Sequence, residues 1–238
     1  MIESNAWSSI WKRHLDGYLS KPPRTGFFMD AHFGQGASSF LELGCGSGRD
    51  ALYLAQQGHH VVGTDLDVET LNELQHRFAS ESVAFVPADA ARLHFPDDAF
   101  DVVFHNGLWV LFPDDELILT CMREQARVAK KYAVILVHNA LNPTLVRQFQ
   151  RKAKEDEIYD IRFFTPDEVT ELVKASGIAY RRIFTLKFGG RFDQLYTAKR
   201  VKRWLPNLVW PVRRAAVPRL YQVEPWSKIE RIACVVEL

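Results

Sequence analysis

Gly44, Gly46 and Gly48 alternate directly after the apolar run Phe40-Leu41-Glu42-Leu43 and directly before Arg49-Asp50 and the helical pattern Ala51-Leu52-Tyr53-Leu54-Ala55. The stretch reads as strand, glycine turn, helix. Glycines there let the chain turn sharply and bring bare backbone against a ligand, where a Cβ would obstruct it. Groups able to do chemistry then recur at the ends of later apolar runs: Asp65 after His60-Val61-Val62-Gly63-Thr64, Asp89 after Val83-Ala84-Phe85-Val86, His105 after Phe100-Asp101-Val102-Val103-Phe104, and His138 after residues 132–137. A carboxylate such as Asp65 can accept two ribose hydroxyls, and an imidazole with a pKa of about 6.5 can take a proton near neutrality. A dinucleotide site of the usual kind requires G-x-G-x-x-G, and Arg49 stands where its last glycine would be. The spacing is G-x-G-x-G instead.

Four motifs in this order, spread from Phe40 to Gly177, resemble the class I S-adenosylmethionine-dependent methyltransferases. The resemblance implies an α/β Rossmann-like fold: a seven-stranded, mostly parallel sheet of order 3-2-1-4-5-7-6 with strand 7 antiparallel and helices on both faces. It implies S-adenosyl-L-methionine as cofactor. Glu42 and the turn Gly44, Cys45, Gly46 and Gly48 would surround its methionine end, and Asp65 would grip the ribose. Leu66 would lie against the adenine, Asp89 and the Ala90 backbone would meet the adenine amino group, and His105 would touch the cofactor through its backbone. Absences narrow the reaction. The fourth-strand loop reads His105-Asn106-Gly107-Leu108, without the prolines of amino-methylating enzymes that act on bases. No cysteine sits where cytosine C5 methylation needs its nucleophile. The acidic ligands of a catechol-type metal site are replaced by His105 and His138-Asn139, so no metal is expected. Val110-Leu111-Phe112-Pro113 keeps the Phe-Pro of many small-molecule members but lacks their two preceding histidines.

The expected function is methyl transfer to a small-molecule acceptor, most simply a hydroxyl or an amine. His105 and His138 are the candidate catalytic bases, because they end neighbouring strands of the resembled sheet and are expected to approach one space beside the sulfonium. A non-catalytic S-adenosylmethionine-binding module and an NAD-dependent oxidoreductase are the rival readings.

A chain of 238 residues with 47% hydrophobic content can bury a full core and suits one α/β domain. The net charge of +1 makes the whole molecule no general magnet for nucleic acid, which is not the expected partner. Between Lys187 and Arg219, however, nine Lys or Arg face Asp193 alone, with Trp204 and Trp210 among them. That stretch suits an anionic substrate, a peripheral membrane surface, or a solvated lid with its tryptophans turned inward. Cys45, Cys121 and Cys234 are odd in number and far apart, so neither a disulfide nor a zinc framework is expected. With no leader pattern and no run near the ~20 apolar residues of a membrane span, the expected setting is cytoplasmic. Oligomeric state is left open.

The elements that must position these groups alternate in period. Strands are expected over 40–43, 60–64, 83–86, 100–105, 132–138, 179–186 and 229–237, and helices over 48–57, 68–79, 114–130, 143–156 and 166–176. Thr165-Pro166-Asp167-Glu168 predicts a capped helix start, and Gly177 a stop. Upstream, Trp7, Ile10, Trp11, His14, Leu15, Tyr18 and Leu19 lie at helical spacing before Lys21-Pro22-Pro23, and a short helix is expected over 27–33. The single domain therefore divides into an N-terminal helical cover (1–37), a cofactor-binding core (38–186), a lid-like insertion (187–228) and a last strand (229–238).

Overall fold

The computed structural model describes residues 4–37, 39–197 and 216–238. Seven strands form one sheet: β1 (Ser39–Leu43), β2 (His60–Asp65), β3 (Val83–Pro87), β4 (Phe100–Asn106), β5 (Ala129–His138), β6 (Arg182–Phe188) and β7 (Arg231–Glu237). Their order is β3-β2-β1-β4-β5-β7-β6, as the resemblance implies. The first five pair in parallel, and β7 runs antiparallel to both β5 and β6.

The helices with both ends described are α1 (Ser4–Leu19), α2 (Arg24–Phe33), α3 (Arg49–Gln56), α4 (Val68–Arg77), α5 (Asp115–Val128), α6 (Pro143–Lys152), α7 (Pro166–Ala175) and the short α8 (Gln194–Thr197), and residues 216–222 are also helical. Strand alternation sorts side chains onto two faces. Phe40, Phe104, Val134, Leu136, Ala233 and Val235 share one apolar cluster with residues of α2 and α3. Ile135, Val137, Ile232 and Cys234 pack on the opposite face with Ile118 and Met122 of α5 and Val169 and Val173 of α7. Leu41, Leu43 and Val103 extend that second layer toward β2.

Local chemistry explains the boundaries. Thr165 caps α7 as expected: its hydroxyl accepts from the Glu168 amide at 3.2 Å, and Glu168 accepts from the Thr165 amide at 2.6 Å. The helix stops at Gly177, whose φ is +74°. Asp114 caps α5, which ends at Val128, so residues 129–131 belong to β5 rather than to the helix. Gly48 lies outside α3 because its φ of +63° is left-handed. β6 starts and ends later than its apolar run suggests, since pairing with β7 fixes it from Arg182↔Glu237 to Phe188↔Arg231. The stretch after β6 therefore begins at Gly189. Ile229 and Glu230 precede β7 in a turn whose entry, Trp226–Lys228, is 3-10 helical. Most of the basic tryptophan-containing stretch, 198–215, lies outside the described residues.

Candidate active site

Parallel pairing puts the carboxyl ends of β1 to β5 on one rim, and the expected groups follow those ends. Leu43 pairs with Thr64 and with His105, Asp65 with Pro87, and Asn106 with Leu136. The turn after β1 is the centre of the expected cofactor half. Gly44, Gly46 and Gly48 all take positive φ, between +51° and +63°. Each also leaves room for a neighbour: a Cβ on Gly44 would lie 2.9 Å from Leu108, one on Gly46 2.3 Å from the Trp11 ring, and one on Gly48 2.6 Å from the Phe85 ring. Gly48 therefore serves packing of the turn on β3. Gly44 and Gly46 present bare backbone to Leu108 and Trp11, side chains that flank the rim.

Two predicted cofactor residues act behind this turn. Glu42 is buried, and its carboxylate accepts from the Ala51 amide at 2.9 Å, holding the start of α3. Burial, then the nearby Asp50 charge, pushes its pKa well above the ordinary carboxylate value. Cys45 is likewise buried, with its sulfur against Gly63 and its amide bonded to the Thr64 carbonyl at 2.8 Å. Only its backbone is available to a ligand.

Asp65 sits on the rim, where its two oxygens accept from the Gly46 amide at 2.8 Å and the Asp67 amide at 3.1 Å. Each oxygen retains a further lone pair. Burial raises its pKa against those backbone hydrogen bonds. Leu66, next to it, is 59% exposed and offers an apolar surface at the rim. Asp89 is exposed and turned by a 2.8 Å bond from the Ala91 amide, and Ala90 follows it. Asp67 occupies the N-cap position of α4, but its carboxylate accepts from the Thr70 and Ser8 hydroxyls instead of capping backbone amides. The Ser8 bond and a Lys12–Glu69 ion pair of 2.8 Å moor α1 across this half of the rim.

The two histidines do not meet. His105 shares a face with Val103 and alternates with Phe104 and Asn106, so its ring enters the face lined by Trp109, 5.4 Å away, while Asn106 shares the other face with Phe104. It is fully buried, its Nδ1 accepts from the Leu108 amide at 3.3 Å, and burial lowers its pKa to about 3. The expectation of a shared space fails because one residue of strand register reverses a side chain. His138 keeps the same parity as Val134 and Leu136 and reaches the rim on the α2 and α3 side. Its ring packs against Phe149 at 4.9 Å and Phe163 at 5.9 Å. Burial, then Arg231 and Arg24, holds its pKa well below 6.5, so it is a neutral imidazole at pH 7. His59 lies 3.3 Å from Asp30 with its ring on Phe40.

Sequence reasoning missed a second set of groups on this side. Arg231 stands directly across from His138 in the antiparallel β5–β7 pair. Asn139 fixes that approach by donating to the Trp226 carbonyl at 2.8 Å and the Ile229 carbonyl at 3.0 Å. Asp50 accepts from the Gly26 amide at 2.9 Å and from Asn106 at 3.3 Å, joining α2, α3 and β4. Among the described residues, Arg49 Nε, Asn106 Oδ1, His138 Nδ1 and Arg231 make up half of the side chains with a buried polar atom that has no hydrogen-bond partner. Such atoms are costly in a fold and concentrate where ligands bind. The signal available in the sequence was the asparagine after His138, which was weighed only as a missing metal ligand.

Residues 40–132 match the family model of a methyltransferase domain. An uncharacterized methyltransferase of Mycobacterium tuberculosis is 33% identical over 79 residues, 33% of this chain and 40% of the relative. The fatty-acid O-methyltransferase of Mycolicibacterium smegmatis is 35% identical over 102 residues, 42% of this chain and 36% of that protein. The chain thus spans about two fifths or less of the length of these curated relatives. Among solved structures, an Archaeoglobus fulgidus SAM-dependent methyltransferase superposes with a TM-score of 0.61 at 17% identity, covering 93% of this chain and 96% of that one. Burkholderia thailandensis 1,6-didemethyltoxoflavin-N1-methyltransferase, solved with S-adenosylhomocysteine, gives 0.59 at 19% identity over 99% of this chain and 87% of that one. The structural likenesses show the fold, and the glycine turn and the rim agree with it: residues 40–132 are similar to a methyltransferase domain, carried on a sheet of the kind found in S-adenosylmethionine-dependent methyltransferases.

Proposed function

We propose that this protein is an enzyme that transfers a methyl group from S-adenosylmethionine to a hydroxyl or amine of a small-molecule acceptor. The observation that carries the reading is the juxtaposition on one rim of bare glycine backbone at Gly44 and Gly46 with the unpartnered polar atoms of Asn106 and His138. The residues fit the cofactor: Gly44, Gly46 and the Cys45 backbone would hold the methionine end, with Glu42 and Gly48 keeping the turn in shape. Asp65 would accept the ribose hydroxyls, exposed Leu66 would carry the adenine, Asp89 and the Ala90 backbone would meet its amino group, and the His105 backbone would border it.

Bound there, the cofactor supplies an activated methyl on a sulfonium, so the protein's own work is to align the acceptor and manage one proton. His138 is the residue for the proton. It is neutral at pH 7, carries an unpartnered ring nitrogen and shares the sheet face of Asn106, whereas His105 faces away. Its depressed pKa makes it a modest base, suited to an acceptor that ionises readily.

Calorimetry with S-adenosylhomocysteine, followed by transfer of labelled methyl to a panel of small hydroxyl and amine acceptors, tests the reading. Binding and transfer are expected. Binding without transfer across the panel would leave a non-catalytic module. Binding of NADH with no response to S-adenosylhomocysteine would overturn the assignment.

A further inference from the structure

The acceptor side of the rim carries more positive charge than its fold requires. Arg24, Arg49 and Arg231 lie within electrostatic reach of one another, and Arg24 and Arg231 also act on His138. Two of these are neutralised. Arg24 bonds Asp193 and, at 3.0 Å, Glu230, while Arg49 bonds Asp50 at 3.2 Å and the Tyr18 carbonyl at 3.2 Å. Arg231 differs. It makes no hydrogen bond and no ion pair among the described residues, and its NH1 is buried. The carboxylates within reach, Glu230 and Asp50, are already engaged by Arg24, Arg49, Asn106 and the Gly26 amide. Burial, then the Arg24 charge, lowers the Arg231 pKa to about 10.

A partly buried cation whose inner nitrogen has no partner is unfavourable, a cost that folds do not bear without a ligand or a use. The surroundings say what kind of ligand. Tyr18 feels both Arg231 and Tyr159, Tyr159 stacks on Phe149 at 5.5 Å, and Phe149 stacks on His138. Arg231 and His138 are direct partners in the β5–β7 pair, so the guanidinium and the candidate base share one face of the sheet beside these rings.

Resting on the methyltransferase reading above, we propose that Arg231 anchors an oxyanion of the methyl acceptor, a carboxylate or a phosphate, while the apolar body of the acceptor lies along Tyr159, Phe149 and His138. The planar fork of an arginine matches both oxyanions through paired hydrogen bonds. Arg231 is a specificity-determining residue. It selects which small molecule is held for methylation and takes no part in methyl transfer itself.

The test uses the full chain saturated with S-adenosylhomocysteine and four probes of similar size: phenylacetate, phenyl phosphate, and the uncharged phenylacetamide and benzyl alcohol. At least one anion is expected to bind ten times or more tightly than both neutral probes, and which anion wins separates carboxylate from phosphate. Arg231→Met should erase that preference while leaving S-adenosylhomocysteine affinity unchanged, and should melt at or above the wild-type temperature, because it removes an unpaired buried charge. Arg231→Lys, which keeps the charge and loses the fork, should show a partial loss. Equal binding of charged and neutral probes overturns the inference, as does a preference that survives in Arg231→Met. An Arg231→Met protein that melts well below the wild type assigns the residue to the fold and also overturns it. Failure of S-adenosylhomocysteine itself to bind overturns the parent reading, and this one with it.

Discussion

The two halves of the rim are built in different ways. The cofactor half, from the turn after β1 to the end of β3, is made of short contiguous motifs whose backbone does the work: positive-φ glycines, a strand-end aspartate and an exposed leucine. The acceptor half is assembled from side chains that are remote in sequence, with α1 supplying Tyr18, α2 Arg24, β5 His138, α6 Phe149 and β7 Arg231. Its buried polar atoms are partly unpaired, whereas those of the cofactor half are mostly satisfied. A universal ligand can be met by a fixed local motif. An acceptor that differs from enzyme to enzyme is met by whatever the connections bring to the same rim.

The sharpest way to break this contrast is at Gly48. Gly48→Val forces a β-branched residue into φ +63° and puts its Cβ against Phe85, which together cost about 2–6 kcal/mol. Chemical denaturation should show that loss. Gly58→Ala is the control, since Gly58 also has positive φ but open space around it, and about 1–2 kcal/mol is expected there. Equal losses at the two positions would mean that strain alone, not packing of the turn on β3, makes Gly48 necessary.

On the acceptor side the largest effect belongs to His138. His138→Asn should slow methyl transfer by about 10²-fold, the lower end for a positioned base because burial weakens this one, with little change in S-adenosylhomocysteine affinity. Single-turnover kinetics on an accepted substrate would measure it. Turnover near the wild-type rate would leave catalysis to proximity alone.

Asp65→Ala probes the cofactor half in return. It removes acceptors of about 1.5–3 kcal/mol each in net terms, so S-adenosylhomocysteine affinity should fall roughly tenfold or more. Because Asp65 also holds the Gly46 amide, a modest drop in melting temperature should accompany it. Calorimetry at two temperatures separates the effects. Unchanged affinity in a folded variant would take Asp65 out of the site.

How much of this could be read beforehand follows the same division. The strand order, the glycine turn, Asp65 and the capped start of α7 were legible because each is a local pattern: a period, a spacing or a capping box. Glu42 and Cys45 were read only as neighbours of the turn, and both side chains prove to be buried beneath it, since contiguity says that a residue is near a turn and not which way its side chain points. The pairing of His105 with His138 failed for that reason, as strand ends are legible and strand faces depend on register. Arg231 was invisible as a site. Only the antiparallel return of β7, held by Asn139, puts it beside His138.

The smallest expected effect separates the two histidines by pH. His105 has a folded pKa of about 3 and an unfolded value near 6.5, so below pH 6.5 the unfolded chain binds a proton that the native state excludes. Stability from this group is fully present above about pH 6.5 and is lost as pH falls toward 3, at up to about 1.4 kcal/mol per pH unit. His105→Gln removes the titration and should flatten the dependence of unfolding free energy on pH between 4 and 6, even if it lowers the overall level by disturbing the Leu108 amide bond. His138 is depressed in the same direction, but it lies within reach of Arg231, and an oxyanion seated between them would favour its charged form. Its share of the acid slope should therefore shrink when phenylacetate or phenyl phosphate is present, while the share of His105, on the far face of the sheet, should stay constant. Denaturation curves of the wild type and of His105→Gln, with and without the anion, would resolve this. An anion effect that vanished in His105→Gln would mean that the two faces communicate and that the division between the halves of the rim does not hold.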